Sequence, residues 1–230
     1  YIIYNLEHPE IQADQWKIYP CSTVDWTEIK EWYDNGEYKP YSEDINKLIE
    51  LLLFVKINMY PWVRLNRIIR DIPNMNILGG NKCVHLRDVL HKKMKKEKLE
   101  CQCIRCREVK NQESDITKAE LFIREYNAIN GKEYFISYES SDTKILYGFL
   151  RLRINHSNTD IIYEELNDCS FVRELHVYGE IVKHGTKSNK IQHKGFGKKL
   201  LQKAEEITFN NNINKVAIIS GVGVREYYKN

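Results

Sequence analysis

Gly195 and Gly197, one residue apart, stand between a strand-like run over residues 173–182 and a helix-like run over residues 198–207. A second strand-like run follows at residues 215–220. A Gly-x-Gly turn that opens a helix aims several backbone N–H groups at one point, and the helix dipole adds partial positive charge there. Glycines allow close backbone approach because no Cβ stands in the way. With Lys194, Lys198 and Lys199 alongside, residues 192–198 (Gln192, His193, Lys194, Gly195, Phe196, Gly197, Lys198) read as a cradle for a cofactor diphosphate. The order strand, Gln-x-x-Gly-x-Gly, helix, strand is the most specific signal in the chain. It predicts an α/β (α+β) domain, a mixed sheet flanked by helices.

The rest of the chain sets bounds on that reading. Its 230 residues are 42% hydrophobic and 29% charged, the balance of a globular protein with ample length for a buried core. A formal net charge of +3 does not itself argue for nucleic acid. The local runs say more: Lys92, Lys93, Lys95, Lys96 and Lys98 form one, and residues 183–199 form another. Either would suit a phosphate backbone. No apolar run approaches the ~20 residues of a membrane span, and residues 1–4 lack the basic start of a signal peptide. The first residue is not Met, so a longer protein is expected. A cytoplasmic location follows from the cysteines, six in all and three of them crowded together, which suit metal binding in a reducing compartment.

Along the chain, residues 16–20 and 62–69 read as strands, and residues 25–35 as a helix closed by Gly36. Ser42 is the expected cap of a second helix, in which Ile45, Leu48, Ile49, Leu52 and Leu53 recur at helical spacing. Proline and glycine over residues 72–80 mark a boundary loop, and a basic amphipathic helix spans residues 86–98. Residues 116–130 read as helix, whereas 133–139, 147–155 and 170–182 read as strands.

Cys101, Cys103 and Cys106 place three thiols within six residues. One turn can then wrap a single ion, and Zn²⁺ takes such thiolates in a tetrahedral shell at about 2.3 Å. A fourth ligand is needed. His85, Cys83 and His91 are the choices upstream, with His85 favoured. A structural zinc fits better than a catalytic one, because no neighbouring His-Glu pair supplies a base. Cys21 and Cys169 read as core residues.

The layout around Gly195 and Gly197 resembles the acetyl-CoA site of GNAT-type acetyltransferases. Residues 173–179, 192–197 and 219–229, together with 38–42, 61–65 and 67–73, resemble the C-terminal acetyltransferase region of the Elongator catalytic subunit family. Residues 101–109 resemble that family's zinc-binding linker. The likeness runs from about Trp16 onward. It implies residues 1–78 as the end of a radical S-adenosylmethionine partial α/β barrel, 79–112 as a basic helix with the zinc-binding linker, and 113–230 as a GNAT-like domain.

The family resemblance also implies a function: acetyl-CoA-dependent carboxymethylation of the tRNA wobble uridine. It brings tRNA as partner, with further Elongator-type subunits or a homodimer. S-adenosylmethionine and a [4Fe-4S] cluster belong to the full-length family. The cysteine motif that holds the cluster is absent from this sequence, so the radical step is not expected of these residues alone. Relatives continue into a further strand where this sequence stops.

For acetyl-CoA the resemblance implies Leu175, His176 and Val177 along the pantetheine arm and residues 192–198 at the diphosphate. Tyr227 and Tyr228 would lie near the thioester sulfur as proton donor or carbonyl anchor. Glu174, sharing a strand face with His176, is the candidate base. Lys92, Lys93, Lys95, Lys96, Arg105 and Arg107 are the candidate tRNA contacts. Two other readings stand beside this one: acetylation of protein lysines such as histone tails, and a non-catalytic zinc-stapled tRNA-binding module.

Overall fold

The structure, a computed structural model, describes residues 2–11, 13–70, 72–109, 116–156, 161, 163–178 and 195–229. It divides into two compact units, Tyr1–Ile2 with Ala13–Cys106, and Ile3–Gln12 with Arg107–Asn230. Among the described residues no helix is long and apolar enough to cross a membrane.

In chain order the elements begin with α1 (Ile2–Glu7), β1 (Gln15–Lys17), α2 (Glu28–Asp34) and α3 (Ile45–Ile57). Then come β2 (Arg64–Arg67), α4 (Leu86–Glu97) and α5 (Ile104–Arg107). In the first unit β1 and β2 form a short parallel pair. Leu48, Ile49, Leu52 and Leu53 of α3 close on Leu86, Leu90 and Met94 of α4 with Ile68 to make one apolar cluster. The i, i+4, i+8 spacing on α4 gives it a single buried stripe. The predicted cap of α3 is corrected. Asp44, not Ser42, accepts the N–H groups of Asn46 and Lys47. Ser42 is buried, and its hydroxyl donates to the Cys21 carbonyl.

The second unit is built on a five-stranded sheet in the order β3 (Glu120–Ala128), β4 (Gly131–Glu139), β5 (Leu146–Asn155), β6 (Cys169–Val177), β7 (Lys215–Ile218). The mixed sheet expected from the sequence is present: β3 through β6 are antiparallel and β6–β7 is parallel. A parallel neighbour needs a crossover, and α6 (Phe196–Asn210) supplies it. Its Leu200, Ala204 and Ile207 pack on Tyr134, Ile136, Leu150, Leu152, Ile154 and Val172 of the sheet. Each fully buried leucine there contributes roughly 1.5–3 kcal/mol of transfer free energy. A short helix, α7 (Arg225–Lys229), follows β7.

The reading of residues 116–130 as helix is overturned. Apart from a 3₁₀ turn at Ile116–Lys118, this stretch is strand β3, half-buried at every second residue from Phe122 to Ala128. It joins β4 through a two-residue hairpin loop in which Asn130 adopts φ +57° ahead of Gly131. Left-handed Asn before Gly is a strong hairpin signal, and tertiary pairing outweighs the helix propensity of Ala119, Glu120, Leu121 and Arg124.

Candidate functional site

The β6–β7 ladder runs from Cys169–Lys215 to Val172–Ile218 and stops there, the last bond being Ile219 N–H to the Val172 carbonyl at 3.0 Å. Strand β6 continues to Val177, still paired with β5. The parting has a local cause. Arg151 faces Glu174 while Leu152 faces Val172, so Arg173 is an extra residue, a bulge that turns the strand. Beyond it, the β6 edge over residues 174–177 lies clear of β7.

Helix α6 starts close to this opening. Gly195, its N-terminal flanking residue, has φ +71°, a conformation that only glycine adopts without strain. Among the described residues nothing lies within 4 Å of where its Cβ would be. Gly197 has the opposite requirement: a Cβ there would collide with the Tyr227 hydroxyl and would lie 3.8 Å from Val177. Helical geometry leaves the first N–H groups of α6 without intrahelical partners. The structure thus brings together Val177, Gly197, Phe196 and Tyr227. Phe196 is buried against Tyr147 and Val109, with Val177 beside it. Tyr227 and Tyr228 stand edge to face at 5.1 Å. Burial, then the neighbouring Tyr228, raises the Tyr227 phenol, and burial raises Tyr228, so both stay protonated at neutral pH. Lys198 is exposed on the first turn of α6. Gln192, His193 and Lys194 lie outside the described residues.

The two faces of β6 separate the other predicted residues. Leu175 packs on the α6 side and Val177 against the Phe196 cluster. Glu174 and His176 face the other way. His176 lies 4.4 Å from Tyr178 and stacks at 6.1 Å on Phe149. Glu174, read as a base, has an ion-pair partner: its Oε2 accepts from Arg151 Nε at 2.9 Å. Arg151 is 1% exposed and lies between the Phe135 and Phe149 rings, at 5.4 and 5.3 Å. The same face carries a second built cluster. Glu139, fully buried, is held by Arg124 at 2.7 and 2.9 Å, Arg107 at 2.8 Å and Ser137 at 2.7 Å. Burial alone would raise the Glu139 carboxyl, but Arg124, Arg107 and Ser137 bring it below the usual range. Arg107, grouped with the phosphate contacts on the sequence, is therefore an interior residue that also donates to the Thr143 carbonyl at 3.1 Å.

In the first unit the Sγ atoms of Cys101, Cys103 and Cys106 lie within 4.8 Å of one another, a set that fits a tetrahedral dication. Cys103 is fully buried, and the Leu65 backbone N–H donates to its sulfur. Lys56 Nζ is 3.3 Å from Cys106 Sγ. Hydrogen bonds from Cys101 and Cys103 lower the Cys106 thiol, and the Lys56 charge adds to them. Cys101 is raised by its bonds to the other two and by burial. His85, the favoured fourth ligand, is outside this group. It precedes α4 and lines a cleft of about 280 Å³ with Asn66, Arg67, Arg87 and Asp88. On α4, Lys92, Lys95 and Lys96 are exposed opposite the buried Leu86, Leu90 and Met94 stripe, Lys93 is half-buried and pairs with Glu97, and Arg105 is exposed.

Sequence reasoning missed Lys56, Arg151 and the Glu139 cluster. The signal was there for two of them: Lys56 interrupts an apolar helix stripe, and Arg151 alternates with leucines in a strand.

Comparison with known proteins follows the same lines. Residues 13–96 match the family described as the Radical_SAM C-terminal domain. A "tRNA uridine(34) acetyltransferase" of Methanocaldococcus jannaschii is 42% identical over 97% of this chain and 42% of its own length. "Elongator complex protein 3" of Dictyostelium discoideum is 39% identical over 97% of this chain and 40% of its own. The chain thus spans about two fifths of the length of these relatives. A solved structure of the archaeal Methanocaldococcus infernus Elp3 with an N-terminal deletion superposes with a TM-score of 0.84 at 36% identity, covering all of this chain and 57% of that one. Over nearly its whole length the chain is therefore a homologue of the proteins named Elongator complex protein 3 and tRNA uridine(34) acetyltransferase.

Proposed function

We propose that this chain forms the acetyl-CoA-binding part, and some of the tRNA-binding surface, of an acetyltransferase that modifies the wobble uridine of tRNA. The observation that carries the reading is the parting of β6 from β7 at Val172 and Ile218, beside the glycine start of α6 and the Tyr227 hydroxyl. When bound, acetyl-CoA supplies the activated acyl group. The chain's own residues would do the rest. The first N–H groups of α6 and Lys198, with Gln192, His193 and Lys194, would hold the diphosphate. The edge of β6 at Leu175, His176 and Val177, past the end of the β6–β7 ladder, would pair with the amides of the pantetheine arm. Tyr227 holds a proton on its Oη beside Gly197, where it would protonate a departing thiolate, with Tyr228 packed against it. Glu174 would act in its ion pair with Arg151, ordering the acyl-facing side of β6.

Zinc at Cys101, Cys103 and Cys106 would staple the segment after α4, and Lys92, Lys95, Lys96 and Arg105 would meet tRNA phosphates. Radical and S-adenosylmethionine chemistry belongs in this reading to the longer relatives, as do Elongator subunit contacts. The test is release of free CoA from acetyl-CoA with and without tRNA, together with acetyl-CoA binding by calorimetry, for this chain and for Gly195→Trp and Gly197→Trp. Binding and tRNA-stimulated release, both lost in the variants, are the expected result. Binding unaffected by either tryptophan would overturn the site.

A further inference from the structure

Lysine is an unusual residue for the buried stripe of α3. Lys56 follows Leu52, Leu53 and Val55 into the interior and is 1% exposed. A buried ammonium costs several kcal/mol unless it meets an opposite charge. Its Nζ ends 3.3 Å from Cys106 Sγ, fifty residues away in sequence. The thiol cluster it meets is itself interior, with Cys103 fully buried and a second donor, the Leu65 N–H, on the Cys103 sulfur. A dication bound by three thiolates carries one net negative charge, and one buried ammonium balances it. A fourth thiolate or a carboxylate would leave an uncompensated charge in the interior.

We propose that Lys56 is the fixed counter-charge of the metal site at Cys101, Cys103 and Cys106, and that the site takes a neutral fourth ligand, water or an imidazole. The inference rests on the zinc reading above and assigns that site a positioning residue and a ligand class. Lys56 holds the Cys106 sulfur on its donor side and compensates the charge of the complex. Removing such an outer partner weakens metal binding by about 10–100-fold.

The experiment uses the whole chain with Lys56→Met, Lys56→Gln and Lys56→Arg. Zinc content is measured by elemental analysis, and zinc affinity by competition with a chromogenic chelator at one pH and one ionic strength. Cobalt(II) loading counts the thiolates from the intensity of sulfur-to-cobalt charge transfer, against a four-cysteine peptide standard. The expected result is one zinc per wild-type chain, about 10–100-fold weaker binding in the Met and Gln variants, near-wild-type binding in the Arg variant, and the intensity of three Co–S bonds.

Wild-type chain without zinc would overturn the zinc reading and this inference with it. Wild-type zinc retained at full affinity in Lys56→Met would overturn the inference alone. Weak binding in Met with full affinity in Gln would overturn the charge argument, leaving a neutral hydrogen bond in its place. A four-thiolate spectrum would overturn the neutral ligand. Thermal melts of the metal-free proteins separate folding from binding. Should Lys56→Met not fold, the Gln and Arg variants decide between charge and no charge by themselves.

Discussion

Glu174, expected from the sequence to act as a base, has its carboxylate bonded to Arg151, and replacing it distinguishes the two roles. Arg151 is 1% exposed and Glu174 34%. Breaking a fully buried pair from one side costs about 3–5 kcal/mol, because the remaining charge is stranded. Here water reaches Glu174 and screens the pair, and the Phe135 and Phe149 rings still face the guanidinium, at about 0.5–2 kcal/mol each. The expected loss for Glu174→Ala is therefore about 2 kcal/mol, below what breaking a fully buried pair costs. For a chain of this size that corresponds to a fall in melting temperature of about 4–8 °C. Adding Arg151→Met to Glu174→Ala removes the stranded charge and should restore most of the loss, since apolar replacement of a buried pair is often neutral or better. All four tryptophans, Trp16, Trp26, Trp32 and Trp62, belong to the first unit. Tryptophan fluorescence therefore follows that unit, and the sheet must be followed by far-UV circular dichroism or by amide exchange on β5 and β6. If Glu174 is instead a free base, Glu174→Ala leaves stability unchanged and abolishes the acidic limb of the pH–rate profile for CoA release, where the carboxylate would gain its proton. An unchanged melt in Glu174→Ala, or a double variant less stable than the single one, refutes the counter-ion argument.

Three further outcomes are expected. Glu139 is lowered in the fold from its ordinary value of 4.5. Its stabilisation is therefore complete above that value and is lost as pH falls through the lower folded one; Glu139→Gln should remove this acid-side loss from the stability–pH curve, and an unaltered curve would refute the assignment. Gly195→Ala should cost about 1–2 kcal/mol, because φ +71° opposes a Cβ although no described atom lies within 4 Å of it, and it should weaken acetyl-CoA binding; calorimetry and urea unfolding check both. Lys96→Ala should weaken tRNA binding about equally across tRNA sequences and reduce the slope of log affinity against log salt by about 1, read from binding isotherms at several salt concentrations.

The parts of the fold legible in the sequence were those with local causes. Helix α4 shows its buried stripe at i, i+4, i+8, and α6 begins at the glycine pair that marked it. Where causes were long-range, reading failed. Ala119 to Glu125 contains good helix formers, and only pairing with β4 makes it a strand; the Asn130-Gly131 hairpin signal was the available clue. Ser42 lost the cap of α3 to Asp44 because its hydroxyl is committed to the Cys21 carbonyl, a contact across 21 positions of sequence. Arg107 looked like one more cation in a basic stretch until the fold set it against Glu139.

The same argument explains why the charged residues that matter most here were hardest to see. Lys56, Arg151 and Glu139 are each at most 1% exposed, and each carries a partner from a distant part of the sequence. A hydrophobic residue at any of the three sites would give the fold at no desolvation cost, so stability alone does not account for them. Arg151 shows what the charge adds. Its partner, Glu174, sits directly after the Arg173 bulge, on the residue where β6 begins its course away from β7. An ion pair at that point pins the bulge to β5. A slip of β6 by one residue would bury Leu175 and Val177 on the wrong face and strand Arg151, so the pair and the apolar alternation select one register together. The opening between β6 and β7 therefore depends on a buried charge far in sequence from the glycines at the start of α6. An Arg151→Met, Glu174→Leu chain should remain folded, but with β6 free to slip. Its acetyl-CoA affinity should fall while its melting temperature holds, and equal loss of both would show that the pair serves stability alone.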